Sequence, residues 1–341
     1  MTIPAGPDQL DAAWLEGALR EDGVLADARV RSVSAEIIGV GFGLDGTCAR
    51  LTLGGDGVPA TLVAKWTKAK EAACETLLYR DIGPRLPLDL ATLFAVRTDE
   101  ATGRALLLLS DVSPAKQGDS LVGATADEAR ALTDAMAGFH AEFWDHADAP
   151  LLASLPHWID NGARRARRVS EAVPRFLAEW KGRLPRAALA LAAELPERVL
   201  AAHAALAAAP VTLVHADLHL DNVLFRPSGV PVILDWTDAS RGPGAIDFAR
   251  LFCEGMTSPM RRAQQEALTI RYAHALAARG VAGYGVERIR ADVTCVTTIL
   301  FADAVRWAAG PDPLGPDVPR VPAIVESLVR QTADATMQAS R

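Results

Sequence analysis

Three oxygen-bearing side chains stand beside short apolar runs in the second half of the chain. Asp217 and Asn222 are separated by four residues, and the apolar run Val223–Phe225 follows directly. Asp235 comes immediately after a further run, Val232–Leu234. Phosphoryl transfer needs a carboxylate that orients the attacking hydroxyl and accepts its proton, with an amide and a second carboxylate that hold Mg²⁺ against the phosphates. These side chains have the types and the order for those roles, although Asp and Asn after strands are also common turn formers.

A glycine-rich segment in the first third of the chain could bind phosphate through its backbone. Residues 39–46 read Gly-Val-Gly-Phe-Gly-Leu-Asp-Gly. Glycines let backbone N–H groups, here those around Gly41, Phe42 and Gly43, approach phosphate oxygens closely. The segment is not a dinucleotide-binding fingerprint, because a strand follows it, and it lacks the Gly-Lys-Ser/Thr of a Walker A loop. A simple turn between two strands is the alternative.

Lys65 stands out by its position and by the scarcity of lysine. It closes the apolar run Leu62–Ala64, and the chain contains only five lysines. A lysine at the end of an apolar strand could meet nucleotide phosphates, whereas an edge-strand lysine that extends its amine into solvent is the alternative.

The stretch 214–236 resembles the catalytic and metal loops of the aminoglycoside phosphotransferase and choline-kinase-like superfamily. The catalytic loop of that superfamily reads His-Gly-Asp-x-x-x-x-Asn, and Ala216 replaces the glycine here. This change matters only if the position needs a positive φ. The resemblance implies that Asp217 is catalytic and that Asn222 and Asp235 bind Mg²⁺.

The resemblance also draws attention to His219, which stands two residues past Asp217. Protein kinases carry a lysine near the γ-phosphate at this place, so His219 could donate to a phosphate oxygen. A loop-stabilising role is the alternative. Residues 117–119 and 138–144 are similar to the ecdysteroid-kinase-like branch of the superfamily.

In the first third of the chain, the same resemblance implies a site for ATP. Lys65 corresponds to the lysine that meets the α- and β-phosphates. Its expected partner on the next helix is Glu75, with Glu71 one turn earlier as the alternative. The strand 106–109 resembles the one that leads into the interlobe hinge, where backbone groups pair with adenine. The residues that the resemblance assigns to the nucleotide are Gly41, Phe42, Gly43, Lys65, Glu75, Ser110 and Val112.

Hydrophobic patterning predicts a small antiparallel sheet with one packed helix in the first third of the chain. β-prone apolar runs alternate with turn residues, and one stretch has helical spacing. The predicted strands are 33–38, 49–53, 60–65, 93–97 and 104–109, and the predicted helix is 70–79.

After residue 110 the composition shifts to alanine, leucine and charge at helical spacing. The predicted helical segments are 125–145, 160–182, 186–208 and 245 onward, with short strands at 211–214, 223–225 and 232–234. The fold class predicted is therefore α+β, the two-lobed protein-kinase-like fold. Its lobes are an antiparallel-sheet N-lobe over residues 1–112 and a mainly helical C-lobe over 113–341.

Several other residues carry weaker expectations. His140 and Trp144 share a helical face, which indicates core packing. His215 is expected to pack and hydrogen-bond behind the catalytic loop. Asp247 resembles the superfamily's Asp that braces this loop, and it also suits the first turn of a helix. The arginines within 164–168 indicate a solvated helix face rather than an anion site.

Composition excludes several classes of protein. The formal net charge is -7, which argues against nucleic acid as a partner. The four cysteines form no Cys-x-x-Cys pair, so neither a metal framework nor a disulfide framework is expected. The sequence shows no signal peptide and no apolar run long enough for a membrane span. A cytoplasmic protein of unpredicted oligomeric state is expected.

These observations predict an ATP- and Mg²⁺-dependent kinase that phosphorylates a hydroxyl of a small molecule. Protein is a less suitable acceptor, because Asp235 and Asp247 are close in sequence and no Ala-Pro-Glu follows them. The C-terminal helices are expected to form the substrate pocket, with Asp303, Arg306 and Trp307 as candidates. A nucleotide-binding pseudokinase and an antibiotic-inactivating phosphotransferase are the alternatives.

Overall fold

The computed structural model describes residues 2–39, 47–145, 150–310 and 320–339. Its chain forms two compact units. The first comprises Met1–Arg85, Asp89–Ala115 and Val232–Asp238, and the second comprises Leu86–Leu88, Lys116–Pro231 and Ala239–Arg341. The short segment that carries Asp235 thus belongs to the first unit, although it follows most of the second unit in sequence.

Strands and helices alternate early, and helices dominate later. The strands are β1 (Arg29–Ile38), β2 (Thr47–Asp56), β3 (Thr61–Lys68), β4 (Leu93–Asp99), β5 (Arg104–Ser110), β6 (Lys116–Gln117), β7 (Thr212–Val214), β8 (Val223–Phe225), β9 (Pro231–Ile233) and β10 (Ser240–Gly242). The helices are α1 (Ala12–Glu21), α2 (Ala69–Leu77), α3 (Ala126–Glu142), α4 (Gly162–Trp180), α5 (Arg186–Ala193), α6 (Leu195–Leu206), α7 (Ala245–Cys253), α8 (Ser258–Ala277), α9 (Val286–Ala309) and α10 (Val321–Ala339). The predicted α+β class, with an antiparallel sheet followed by a mainly helical remainder, is confirmed.

The first unit is built on a five-stranded antiparallel sheet in the order β1-β2-β3-β5-β4. β3 lies at the centre of this sheet, so Lys65 is not an edge-strand lysine; it pairs in register with Cys48 and Leu107. Apolar side chains from one face pack with Leu15 and Leu19 of α1 into a buried core. The burial of this core stabilises the strand that carries Lys65.

The second unit is helical, and α4, α5, α6, α9 and α10 form one of its hydrophobic cores. Sequence patterning predicted one helical segment over 186–208, but two helices are present. The second begins at Leu195, with Pro196 in its first turn. Proline lacks an N–H and clashes with the preceding turn, so it suits a helix start and not an interior.

No helix in the four described ranges is both long enough and apolar enough to cross a membrane.

Candidate active site

In the first unit, Lys65 lies between two carboxylates. Its Nζ is 2.8 Å from Oε2 of Glu75 and 2.9 Å from Oδ1 of Asp235. Lys65 is 7% exposed and Glu75 is fully buried. Glu71, the alternative partner, instead accepts hydrogen bonds from the Thr67 hydroxyl and the Lys68 ammonium. The structure therefore brings Lys65, Glu75 and Asp235 together and leaves Glu71 at the start of α2.

The charge state of Lys65 follows from these contacts. Burial favours the neutral amine, but the charges and hydrogen bonds of Glu75 and Asp235 outweigh it and raise the pKa of Lys65 above its ordinary value. The amine is thus held as an ammonium at neutral pH. A buried ammonium in a defined position is suited to binding an anion such as a phosphate.

Asp235 has an unusual backbone for a residue that is not glycine. Its φ is +57°, a conformation that Asp tolerates better than most residues. The Thr237 hydroxyl donates to Asp235 Oδ1 at 3.0 Å, and the following Trp236 is fully buried with its indole N–H donated to the Ile233 carbonyl. The Cys74 thiol of α2 donates to the Trp236 carbonyl at 3.3 Å. Asp235 is therefore held at a fixed point beside the helix that carries Glu75.

The structure describes only some of the other residues that were predicted to bind the nucleotide. Gly41, Phe42 and Gly43 lie outside the described residues. Ser110 ends β5, and its hydroxyl accepts a hydrogen bond from the Thr92 N–H at 2.9 Å. Val112 is buried. Their roles toward adenine stay predictions.

In the second unit, Asp217 follows β7 in the loop that precedes β8. Its Oδ1 is 3.2 Å from Nη1 of Arg250, and its Oδ2 is 3.4 Å from Nε2 of His219. The side chain keeps 36% of its surface exposed. Burial would raise the pKa of Asp217, but the charges of His219 and Arg250 lower it below its ordinary value. Asp217 is therefore an ionised carboxylate that solvent or a ligand can reach.

His219 is held by the same group of charges. Burial alone would lower the pKa of His219, but the charge and hydrogen bond of Asp217 dominate and raise it to about 9. The ring also lies 3.9 Å from Asp221 through Nδ1. An imidazolium at neutral pH follows, and this can donate hydrogen bonds from both ring nitrogens.

Asn222 is oriented by its amide nitrogen. Nδ2 donates to the Asp217 carbonyl at 3.0 Å. It also lies 3.2 Å from Nε2 of His219, which has no lone pair to accept a hydrogen bond when the ring is protonated. This leaves the amide oxygen as the atom that could meet a metal. Amide and carboxylate oxygens are hard ligands suited to Mg²⁺, which usually needs only one or two carboxylates beside water and phosphate. Asn222 and Asp235 therefore fit Mg²⁺ by the chemistry of their donor atoms.

The loop that carries Asp217 is braced by Asp247 at the start of α7. Its Oδ2 accepts the N–H of His215 and its Oδ1 accepts the N–H of Ala216, both at 2.8 Å. His140 of α3 lies 3.1 Å from the same carboxylate and 2.6 Å from the Tyr272 hydroxyl. His140 is thus more than core packing, because it connects two helices to the carboxylate that holds the loop.

We expect Asp247→Asn to lower both stability and transfer. The amide presents an NH₂ to one of the two backbone N–H donors, and an unsatisfied buried donor costs about 1–3 kcal/mol. Urea unfolding and kcat measure the two effects. Asp292→Asn is the matched control, because Asp292 is also buried but binds Tyr284 and Arg288. The control should lose stability and keep kcat; an equal loss of kcat in both variants would contradict the bracing role.

Ala216 adopts the positive φ that the sequence left open. Its φ is +64°, in the left-handed region that favours glycine. The two N–H groups bound by Asp247 belong to this residue and its neighbour His215, so the brace holds the chain in this conformation. The replacement of glycine by alanine is therefore a source of local strain.

We expect Ala216→Gly to raise the free energy of unfolding by up to about 1 kcal/mol, because the left-handed conformation costs alanine about 1–2 kcal/mol and glycine's greater freedom when unfolded cancels part of the gain. Urea unfolding measures the change. The control is Ala239→Gly, at a buried alanine outside the positive-φ set; it should lower stability by about 1 kcal/mol. Destabilisation by both changes would show that Ala216 is not strained.

Arg250 and Glu254 were missed by sequence reasoning. Arg250 contacts Glu254 at 2.6 Å in addition to Asp217. The charge of Glu254 contributes to holding the pKa of Arg250 above its ordinary value, against the effect of burial. The available signal was helical spacing: Asp247, Arg250 and Glu254 follow one another at intervals of three and four, which places them along one helix face.

One member of the arginine cluster is not on a solvated face. Nε of Arg165 lies 3.1 Å from both carboxylate oxygens of Asp303 on α9. The other three arginines of this cluster are exposed, as predicted. Asp303, a predicted pocket residue, is thus paired; Arg306 lies 3.8 Å from it and is more exposed. Trp307 is half-buried on the same helix.

Comparison with known proteins identifies phosphotransferases and a kinase as similar to this chain. A family model described as "Phosphotransferase enzyme family" (APH) matches residues 63–289. Among solved structures, the GDP complex of wild-type aminoglycoside 2'-phosphotransferase-IIIa has 16% identity and a TM-score of 0.54, with 96% of this chain and 100% of that chain covered.

Two further solved structures are similar. A macrolide 2'-phosphotransferase from Brachybacterium faecium has 18% identity and a TM-score of 0.51, with 89% of this chain and 98% of that chain covered. An ethanolamine kinase from Plasmodium vivax has 10% identity and a TM-score of 0.51, with 86% and 81% covered. A search of curated proteins gave no match.

Proposed function

Since the chain belongs to the phosphotransferase enzyme family, we propose that it transfers the γ-phosphate of MgATP to a hydroxyl group of a small molecule. The family prediction from the sequence is confirmed, and the placement in the ecdysteroid-kinase-like branch stays a prediction. The observation that carries the proposal is the position of Lys65, whose ammonium is buried between Glu75 and Asp235. Such an arrangement stabilises anionic oxygens without any rearrangement when they bind.

Asp217 would act on the acceptor. Its exposed carboxylate can accept a hydrogen bond from the attacking hydroxyl and orient it, and the proton would pass to a carboxylate oxygen as the new bond forms. Because its pKa is lowered, Asp217 is a weak base, and its main contribution would be orientation. This suits a loose transition state, in which the hydroxyl proton leaves late.

Lys65 and His219 would bind phosphate oxygens as cations. Neighbouring carboxylates raise the pKa of both groups, so both are protonated at neutral pH. Glu75 and Asp235 have this effect on Lys65, and Asp217 has the largest such effect on His219. Asn222 and Asp235 would hold the metal through their side-chain oxygens. When bound, Mg²⁺ would offset the charge that develops on the phosphates.

A small-molecule acceptor is favoured over a protein. Only a single 3-10 turn and the short strand β10 separate Asp235 from the start of α7. A protein kinase carries its activation segment and an Ala-Pro-Glu motif in the corresponding place.

An antibiotic-inactivating role is the second candidate. The aminoglycoside and macrolide phosphotransferases that resemble this chain carry out the same chemistry on drugs, so only the acceptor separates the two candidates.

The test is a MgATP titration beside an ADP-release assay with a panel of alcohols, sugars, aminoglycosides and macrolides. We expect MgATP binding, slow ATP hydrolysis without an acceptor, and faster ADP release with at least one hydroxyl compound. Binding without any hydrolysis or transfer would favour the pseudokinase alternative. Absence of MgATP binding would refute the proposed function.

A further inference from the structure

The carboxylates around Asp217 in the second unit are paired with cations. This holds for Asp217 itself and for the three carboxylates whose charges act on its partners His219 and Arg250. The arginine pairs are Asp217 with Arg250, Glu254 with Arg250, Asp221 with Arg320, and Asp303 with Arg165. Arg320 also contacts Asp119 at 2.8 Å. Each of the four carboxylates thus has an arginine neighbour, whose charge does not depend on pH in the physiological range.

Arg250 is the central member of this group. One nitrogen, Nη1, lies 3.2 Å from Asp217 and 2.6 Å from Glu254. Arg250 and Glu254 side chains are only 15% and 10% exposed. If the guanidinium moved away, Glu254 would be left as an uncompensated buried charge, which is strongly unfavourable. The positive charge beside Asp217 is therefore a fixed part of the site.

Asp303 also has a cationic partner, Arg165. Nε of Arg165 is shared between its two oxygens, and the guanidinium of Arg165 lies over the Trp158 ring, 4.6 Å from its centroid. His203 also stacks on this ring, with 5.4 Å between the ring centroids. A guanidinium held on an aromatic face and on a carboxylate is well ordered, so Asp303 does not offer a free negative charge to a ligand.

We propose that the acceptor of this enzyme is an uncharged hydroxyl compound, and that Arg250 is the residue that excludes acceptors with ammonium groups close to the reacting hydroxyl. This inference rests on the proposed function, because it takes Asp217 as the group that meets the acceptor.

The physical reason is that an ammonium group of an acceptor would compete with Arg250 for Asp217 and Glu254. An ammonium group that approached Asp217 would meet the guanidinium already there, and like charges at such distances repel strongly in a partly buried site. An uncharged hydroxyl needs no counter-ion and can donate to a carboxylate oxygen of Asp217 without displacing Arg250. A polyamine would also find Glu254 and Asp303 already neutralised.

The test uses kanamycin as a polycationic probe, titrated calorimetrically without nucleotide. We expect no saturable binding to the wild type at millimolar concentration. Arg250→Gln removes the cation that Asp217 and Glu254 share. Glu254 loses this partner, and Asp217 keeps its longer contact with His219. We expect this variant to gain at least about tenfold in kanamycin affinity, with the gain diminished by salt.

Control variants separate the effect of the lost Arg250 charge from an effect on folding. Arg250→Lys keeps the positive charge and should show no gain. Arg271→Gln removes an exposed arginine that pairs with Asp134, and it should also show no gain. If Arg250→Gln does not fold, as judged by its melting transition, the double variant with Glu254→Gln removes both buried charges and should still gain affinity through Asp217.

Two results would overturn the proposal. One is tight kanamycin binding, or phosphorylation of an aminoglycoside, by the wild type. The other is a folded Arg250→Gln protein, or a folded double variant, whose kanamycin affinity equals that of the wild type. MgATP titrations of the same samples test the proposed function separately, because the kanamycin measurement needs neither nucleotide nor transfer.

Discussion

Asp217→Asn is expected to reduce phosphoryl transfer by about a hundredfold to ten-thousandfold, the usual contribution of a positioned proton acceptor. MgATP affinity should fall much less than transfer does, because the expected partner of Asp217 is the acceptor hydroxyl. A small loss is expected through His219, whose ring loses the charge of Asp217. The amide keeps an oxygen for Arg250, and Arg250 keeps its contact with Glu254, so the loop should retain its structure. Calorimetric MgATP binding and the rate of ADP release with an acceptor found in the panel measure the two effects.

The controls for this prediction are two further Asp→Asn changes. Asp134→Asn alters an exposed carboxylate that pairs with Arg271 and should leave both measurements unchanged. Asp235→Asn should weaken MgATP binding as well as transfer, because Asp235 is expected to hold the metal. If Asp217→Asn abolished MgATP binding while Asp235→Asn preserved it, the two roles would be reversed.

Lys65→Ala is expected to weaken MgATP binding by more than about tenfold and to destabilise the fold by about 3–5 kcal/mol, the cost of breaking a buried ion pair. Glu75 is fully buried, and Lys65 provides its ammonium partner at 2.8 Å. Removal of the ammonium leaves this carboxylate with a large desolvation cost. MgATP titration and urea unfolding measure the two effects.

Lys68→Ala is the matched control, because Lys68 is two-thirds exposed and pairs with Glu71 at the surface; such pairs contribute at most about 1 kcal/mol. The double variant Lys65→Met with Glu75→Leu separates folding from binding. It removes both buried charges, so it should regain much of the stability and still fail to bind MgATP tightly. Equal effects of Lys65→Ala and Lys68→Ala, or restored binding in the double variant, would refute the role of Lys65.

Sequence patterning was sufficient for most of the fold because the relevant signals are local. Apolar runs of β-branched and aliphatic residues, separated by glycine, predicted all five strands of the sheet. Alanine- and leucine-rich segments with helical spacing predicted most of the second unit. The main helical error was the single segment predicted over 186–208, because the apolar periodicity continues across Pro196. Proline does not fit a helix interior, so a new helix begins beside it.

Backbone conformation at the catalytic loop could not be predicted in the same way. The sequence shows an alanine at position 216, and nothing local to it requires a positive φ. The conformation depends on Asp247, thirty-one residues later, which accepts two successive backbone N–H groups. His140, from a helix far earlier in the chain, contacts the same carboxylate.

The sequence by itself determined the residue types and the order of the candidate site, namely Lys65, Asp217, Asn222 and Asp235, because these are carried by short motifs with local spacing. Only the tertiary structure decided which charges neutralise one another. Glu75 was the expected partner of Lys65, with Glu71 as the alternative, and the packing of α2 on the sheet places Glu75 beside the amine. Arg165 meets Asp303 because α4 packs on α9. Arg250 meets Asp217 because Asp247, on the same helix, binds the loop that carries Asp217. Side chains far apart in sequence become neighbours only through such packing, so the charge of the acceptor site is a property of the fold.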